Sequence, residues 1–159
     1  MNNDIFINEW IRRSERKDGQ DLIDIGDKFI SLWIAFNAWQ KDKFGETDND
    51  AKLIKKVVDF KPMEEIFSEF KQNNIELAQL KEYRIINMKF PDDQLKVSNY
   101  DGSFESLIKS LYAIRCNLFH GRKNFDDNET DKKLVQLAYQ ILNPLFKKYL
   151  KDKENFFIN

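Results

Sequence analysis

Cysteine and histidine are nearly missing from this chain of 159 residues, which has one of each, Cys116 and His120. A single cysteine excludes a disulfide within the chain and is typical of proteins from reducing compartments. One cysteine and one histidine are also too few soft ligands for an ordinary structural zinc site. We therefore expect neither a metal centre nor a cofactor.

Glycine and proline are also scarce, with 5 and 3 residues respectively. These are too few for the many tight turns of a β-sandwich or β-barrel, which favours a helical fold. Apolar residues make up 42% of the sequence and charged residues 33%, a composition typical of folded domains rather than disordered ones. Because no repeat or linker interrupts it, the chain is expected to form a single domain, residues 1–159.

The chain has no excess of charge of one sign, because its 26 basic and 27 acidic residues give a formal net charge of −1. This balance excludes a generic nucleic-acid coat protein, so any contact with nucleic acid must be local. No apolar run reaches the roughly 20 residues of a membrane span, and the N-terminal sequence has no signal-peptide core. We expect a cytoplasmic protein that does not contact membranes.

The hydrophobic pattern predicts helices along most of the chain. A helix from Asp4 to Arg16 is expected to place Phe6 and Trp10 inward, with Ile7 and Ile11 as further candidates for the inward face. The residues from Phe29 to Trp39 are apolar nearly all round, which predicts a helix at the centre of the protein. Interrupted helices are predicted from Asp50 to Asn87, followed by a loop from Lys89 to Gly102.

The second half of the chain has the clearest helical pattern. Ser103 is a good N-cap, apolar residues then recur at spacings of three and four, and Gly121 ends that helix. A last helix, which Asp127 or Asn128 caps, is expected to bend near Pro144. Together these segments predict an all-α bundle of five or more helices.

Residues 109–123 contain basic side chains and no acidic one, which predicts a local positive patch that binds phosphate. These basic residues are Lys109, Arg115, Arg122 and Lys123. His120 lies among them, and an imidazole can donate and accept a proton near neutral pH. The combination predicts metal-independent RNA cleavage, in which His120 deprotonates a ribose 2′-OH and the cations stabilise the charge on the phosphate.

A structural interpretation of the same residues stays open. A lone histidine near a helix end is more often structural, and Cys116 fits the role of a small buried filler. On an ideal helix the side chains of Arg115 and His120 point about 140° apart, so an irregular last turn is needed to bring them together. Asn37, inside the apolar central helix, is expected either to tie two helices together or to orient a catalytic group.

Two segments resemble a known family. RCNLFHG, residues 115–121, resembles the R-x4-6-H signature of the HEPN superfamily and is closest to its Apea-like subgroup, which reads RNNLFHG. KFISLWIAFNAW, residues 28–39, resembles the central helix of that subgroup. HEPN domains are small all-α domains of prokaryotic defence and toxin systems and of RNA-guided nucleases.

The resemblance implies a ribonuclease of the toxin or defence type, with Arg115 on the phosphate and His120 as the proton-transfer group. Asn37, Asn117 and Cys116 would be supporting residues, and Cys116 stands where many active members have an Asn. The resemblance further implies a homodimer that brings two motifs together, with RNA as the substrate. A cognate antitoxin or a nucleotidyltransferase-like protein would be a further partner.

Two other functions remain open. The first is a catalytically inactive HEPN-like module that binds RNA, a nucleotide or a partner protein through the same groove, which Cys116 favours. The second is a helical interaction protein in which the motif only caps a helix. The distance between Arg115 and His120, within and across protomers, would discriminate between a nuclease and these alternatives.

Overall fold

The computed structural model describes residues 3–16, 18, 21–87, 97–119 and 129–157 of the chain. Helices account for most of this part, which confirms the expected all-α class. The α-helices are α1 (Asp4–Glu15), α2 (Leu22–Phe44), α3 (Asp50–Val58), α4 (Lys61–Phe70), α5 (Ile75–Leu80), α6 (Phe104–Phe119) and α7 (Glu129–Glu154). A short 3-10 helix (Lys71–Asn73) lies between α4 and α5, and two strands, β1 (Arg84–Ile85) and β2 (Ser98–Asn99), pair antiparallel.

Side-chain caps determine where several helices begin. The side chains of Asp21, Asn49 and Asn74 each accept a hydrogen bond from a backbone N–H three residues later, at the starts of α2, α3 and α5. The hydroxyl of Ser103 accepts one from the N–H of Ser106 at 3.1 Å, so Ser103 caps α6 as the sequence predicted. These bonds satisfy backbone donors that have no partner within the helix.

Helix α2 lies at the centre of the bundle and packs mainly against α1 and α7, with fewer contacts to α6. Trp39 shows how α2 and α7 are joined. Its ring stacks on Phe36 and contacts the rings of Phe146 and Tyr149 on α7. Its indole nitrogen donates a hydrogen bond to Glu154 at the end of α7. The predicted central helix is therefore confirmed, and its contacts with α7 hold it in place.

Two details of the sequence-based prediction are wrong. Phe6, expected to point inward, is 47% exposed, and Trp10 is only partly buried against the core. Ile7 and Ile11, the further candidates for the inward face, are the apolar residues that α1 buries. These residues and Ser14 recur at spacings of four and three, so they share the face that packs on α2. The segment from Lys89 to Gly102 is not wholly a loop, because it contains β2.

The ends of α6 and α7 lie at the limit of the described residues. Gly121, Asp127 and Asn128, which were predicted to bound these helices, lie outside them. Pro144 lies inside α7, and the helix continues on both sides of it. Among the helices that the structure describes, none combines the length and apolar character needed to cross a membrane.

Candidate functional site

Helix α6 positions the first residue of the motif. Its buried stripe includes Leu107, Leu111 and Ile114, which anchor the helix in the core. Arg115 follows Ile114 and therefore lies at the border of this stripe, with 25% of its side chain exposed. A side chain at this border can contact both neighbouring helices and solvent.

An acidic residue on α3 links Arg115 to the central helix. Nη2 of Arg115 lies 3.2 Å from Oδ2 of Asp50, the first residue of α3. The other carboxylate oxygen of Asp50 accepts a hydrogen bond from Nδ2 of Asn37 at 3.3 Å. One carboxylate thus contacts two residues that the sequence singled out separately, on α2 and on α6. We call these three residues the Arg115 cluster.

Asp50 was missed by sequence reasoning. It directly follows the N-cap residue Asn49, and an acidic residue in the first turn of a helix is expected there because it interacts favourably with the helix dipole. The local sequence therefore explains Asp50 as a residue that favours the start of the helix. It does not indicate that the carboxylate also contacts side chains on two other helices. The contact also changes the interpretation of Asn37. This residue ties α2 to α3 and, through Asp50, is linked to Arg115.

A cavity of about 310 Å³ opens beside the Arg115 cluster. Its walls come from α1 and α2 and are mainly apolar, and Arg115 borders it from α6. The apolar wall residues are Phe6, Ile30, Trp33, Ile34 and Ala38, and the polar ones are Asn37, Lys41 and Arg115. Phe6 is exposed because its ring lies at this cavity and not on the buried face of α1. Two basic side chains and an amide thus meet an apolar recess.

Cys116 is a free, half-buried thiol on α6. Tyr112, one helical turn earlier, lies close enough to it to share a hydrogen bond. Burial, followed by the nearby Cys116 and Asp50, raises the pKa of Tyr112 to about 12. The phenol is therefore uncharged at neutral pH, so it adds no negative charge beside Arg115.

Asn117 has a structural contact. Its Nδ2 donates a hydrogen bond of 2.8 Å to the backbone carbonyl of Ile86, directly after β1. The bond ties the last turn of α6 to the small sheet. Both strands of the sheet also contact α6. The structure therefore places Asn117 where it supports the helix that carries Arg115.

Of the remaining predicted site residues, the structure describes Lys109 alone. Lys109 forms an ion pair of 2.8 Å with Glu105, and both side chains are 59% exposed. Such pairs on a helix surface contribute about 0.3–0.5 kcal/mol, and the carboxylate offsets part of the positive charge that the sequence predicted here. His120, Arg122 and Lys123 lie outside the described residues, and with them the predicted proximity of His120 to Arg115.

The Arg115 cluster leads to a prediction about stability. Asp50→Ala should lower the free energy of unfolding by about 1 kcal/mol, because it removes the acceptor of one hydrogen bond and one ion pair, both only partly screened by solvent. Urea denaturation measures this change. Glu9→Ala is the matched control, since it breaks an ion pair with Arg12 in which both side chains are more than half exposed, and it should cost about 0.5 kcal/mol or less. Equal losses for the two variants would contradict a structural role for Asp50.

Among the described residues, no group of three or more histidine, cysteine or acidic side chains is arranged to hold a metal ion. The basic groups at this site are the guanidinium of Arg115 and the ammonium of Lys41, which lie beside an apolar recess. In the comparisons with known proteins, no family model, no curated protein and no solved structure matches the chain.

Proposed function

We propose that this protein is a metal-independent endoribonuclease of the HEPN type, a toxin or defence effector that uses Arg115 and His120. The observation that carries the proposal is the placement of Arg115. Its guanidinium is held by Asp50 at the edge of a cavity, on the helix that leads into His120. The resemblance of residues 115–121 and 28–39 to that superfamily supports the same assignment, since the Arg115 cluster links the two segments.

In this mechanism His120 removes the proton from a ribose 2′-OH. The 2′ oxygen then attacks the adjacent phosphorus, the bond from phosphorus to the 5′ oxygen breaks, and a proton is delivered to the leaving 5′ oxygen. The products are a 2′,3′-cyclic phosphate and a free 5′-OH. Arg115 stabilises the negative charge that builds on the phosphate oxygens during the attack.

The ion pair with Asp50 is compatible with this role. A guanidinium carries five N–H donors in a rigid fork, so it can bind a carboxylate and a phosphate at the same time. Holding the fork in one orientation lowers the entropy that is lost when the phosphate binds. Asp50 therefore acts as a positioning residue, and Asn37 in turn donates a hydrogen bond to Asp50.

The chain has a single histidine, whereas the mechanism needs a base and an acid. We therefore propose a homodimer in which His120 of each protomer lies near the interface, so that one imidazole accepts a proton and the other donates one. Multi-angle light scattering should give twice the chain mass at micromolar concentration. A monomer that nevertheless cleaves RNA would show that the second proton-transfer group is not a second His120.

The proposed activity is tested with single-stranded or loop-containing RNA and the purified protein in EDTA. We expect cleavage of the RNA at an unchanged rate when divalent metal is chelated, and no cleavage of DNA of the same sequence, which lacks the 2′-OH. RNA that is bound but left intact would favour the second candidate, an inactive HEPN-like module that binds RNA, a nucleotide or a partner protein. Cys116, in the position where active members often have Asn, favours that candidate.

A further inference from the structure

We propose that the cavity beside Arg115 binds one unpaired nucleobase of the RNA, next to the phosphate that Arg115 contacts. This inference rests on the proposed function for its ligand, and it assigns the cavity as the part of the site that selects single-stranded RNA. The cavity has two different sides, an apolar recess and a border with basic groups. A nucleotide has the same two sides, a flat ring and an anion.

The apolar side matches a flat aromatic ring. Trp33 is almost fully buried and forms part of the wall, whereas Phe6 is about half exposed and can meet a ring that enters from solvent. Ile30 and Ile34 lie four residues apart on α2 and provide further apolar surface on the same face. Stacking of a base on an aromatic side chain tolerates any base sequence, because every base has a flat π face.

The basic side matches the phosphate. Lys41 lies four residues after Asn37, so both project from the same face of α2 toward the cavity, and Arg115 borders it from α6. A basic group on each of two helices allows one backbone phosphate to be contacted from two directions. An apolar ligand without an anion would leave this charge unused, and a simple anion would leave the recess unfilled. The arrangement therefore favours a ligand that joins a ring to a phosphate.

The size of the cavity suits a single base. At about 310 Å³ it is at the lower end of small-ligand pockets and has room for one unpaired base. A base in a duplex is stacked and paired, and it must be unstacked before it can enter such a recess. Single strands and loops present bases that are already unstacked, so the cavity should select them over duplex RNA.

The binding experiment uses His120→Ala protein, in which cleavage is expected to be too slow to consume the RNA during a titration. Isothermal titration calorimetry compares a five-nucleotide RNA with the same RNA carrying abasic sites, which keep every phosphate and lack the rings. We expect the intact RNA to bind about tenfold more tightly, in line with the contribution of one stacked base. Ala38→Phe in the same background should fill the recess and remove this difference, while leaving the abasic RNA bound as before. Ala78→Phe adds the same ring at an exposed position of α5 and should change neither affinity.

Circular dichroism shows whether Ala38→Phe folds. If Ala38→Phe does not fold, Ile34→Ser takes its place, because it removes apolar surface without adding volume, and it should also remove the preference for intact over abasic RNA. Equal affinities for intact and abasic RNA would overturn the base site, and so would an unchanged preference in both cavity variants. These results are separate from the nuclease test. A ring-dependent affinity without RNA cleavage by the unmodified protein leaves the base site and removes the nuclease. RNA cleavage by the unmodified protein, together with equal affinities for intact and abasic RNA, leaves the nuclease and removes the base site.

Discussion

His120→Ala is expected to lower the rate of RNA cleavage in EDTA by a factor of about 10² to 10⁴, the usual contribution of a general acid–base group. The reason is that the chain contains no second imidazole, so the variant loses the kind of side chain best suited to exchange a proton near neutral pH. Initial rates measured with a fluorescently labelled RNA give the size of the loss.

Two controls separate lost chemistry from lost structure in this variant. Its circular dichroism spectrum and urea midpoint should match those of the unmodified protein. Added imidazole should restore part of the rate, because a small base can diffuse into the space that the side chain leaves. An unchanged cleavage rate in His120→Ala would show that the histidine takes no part in the reaction.

Arg115→Ala should have the second largest effect, a loss of about 10² to 10³ in the cleavage rate, comparable with the removal of one well-placed donor to a developing oxyanion. Arg115→Lys should recover little of this activity. An ammonium is a point charge, whereas the guanidinium fork can bind Asp50 and two phosphate oxygens in fixed directions. Comparing the rates of the two variants therefore tests orientation separately from charge.

Arg12→Lys is the matched control for that comparison. Arg12 also pairs with a carboxylate, Glu9 on the same helix, but the pair is exposed on α1. The substitution should leave the cleavage rate within about twofold of the parent, because a surface pair of this kind contributes little. A Lys at position 115 that is as active as Arg would contradict the proposed role of the fork.

The helices that carry the site were predictable because their signals are local. Ser103 caps α6 with its own hydroxyl. The run from Phe29 to Trp39 is apolar on nearly all sides, so its side chains can be buried only at the centre of a bundle. Both features depend on neighbouring residues, which the sequence shows directly. The border position of Arg115 follows in the same way, since the residue next to Ile114 must lie beside the buried stripe.

The contacts that organise the site were not predictable. Asp50 reaches Arg115 and Asn37 only because α3 packs against both α2 and α6, and a single carboxylate has no periodic pattern that reveals its partners. The cavity depends on how α1 packs against α2, which the sequence does not show. The hydrophobic pattern of α1 therefore predicted that Phe6 points inward, whereas its ring lies at the cavity. Two-residue strands such as β1 are too short to show alternation, so the small sheet was missed as well.

The central claim is that the protein's own side chains cleave RNA through attack by the 2′-OH, and the chemistry of the product ends tests it most directly. Mass spectrometry of the fragments formed in EDTA should show a 2′,3′-cyclic phosphate on one fragment and a free 5′-OH on the other, and His120→Ala should form at least about 10²-fold less of both in the same time. Fragments with a 5′-phosphate and a free 3′-OH would contradict the account, because attack by water from outside the RNA, rather than by the 2′ oxygen, produces those ends.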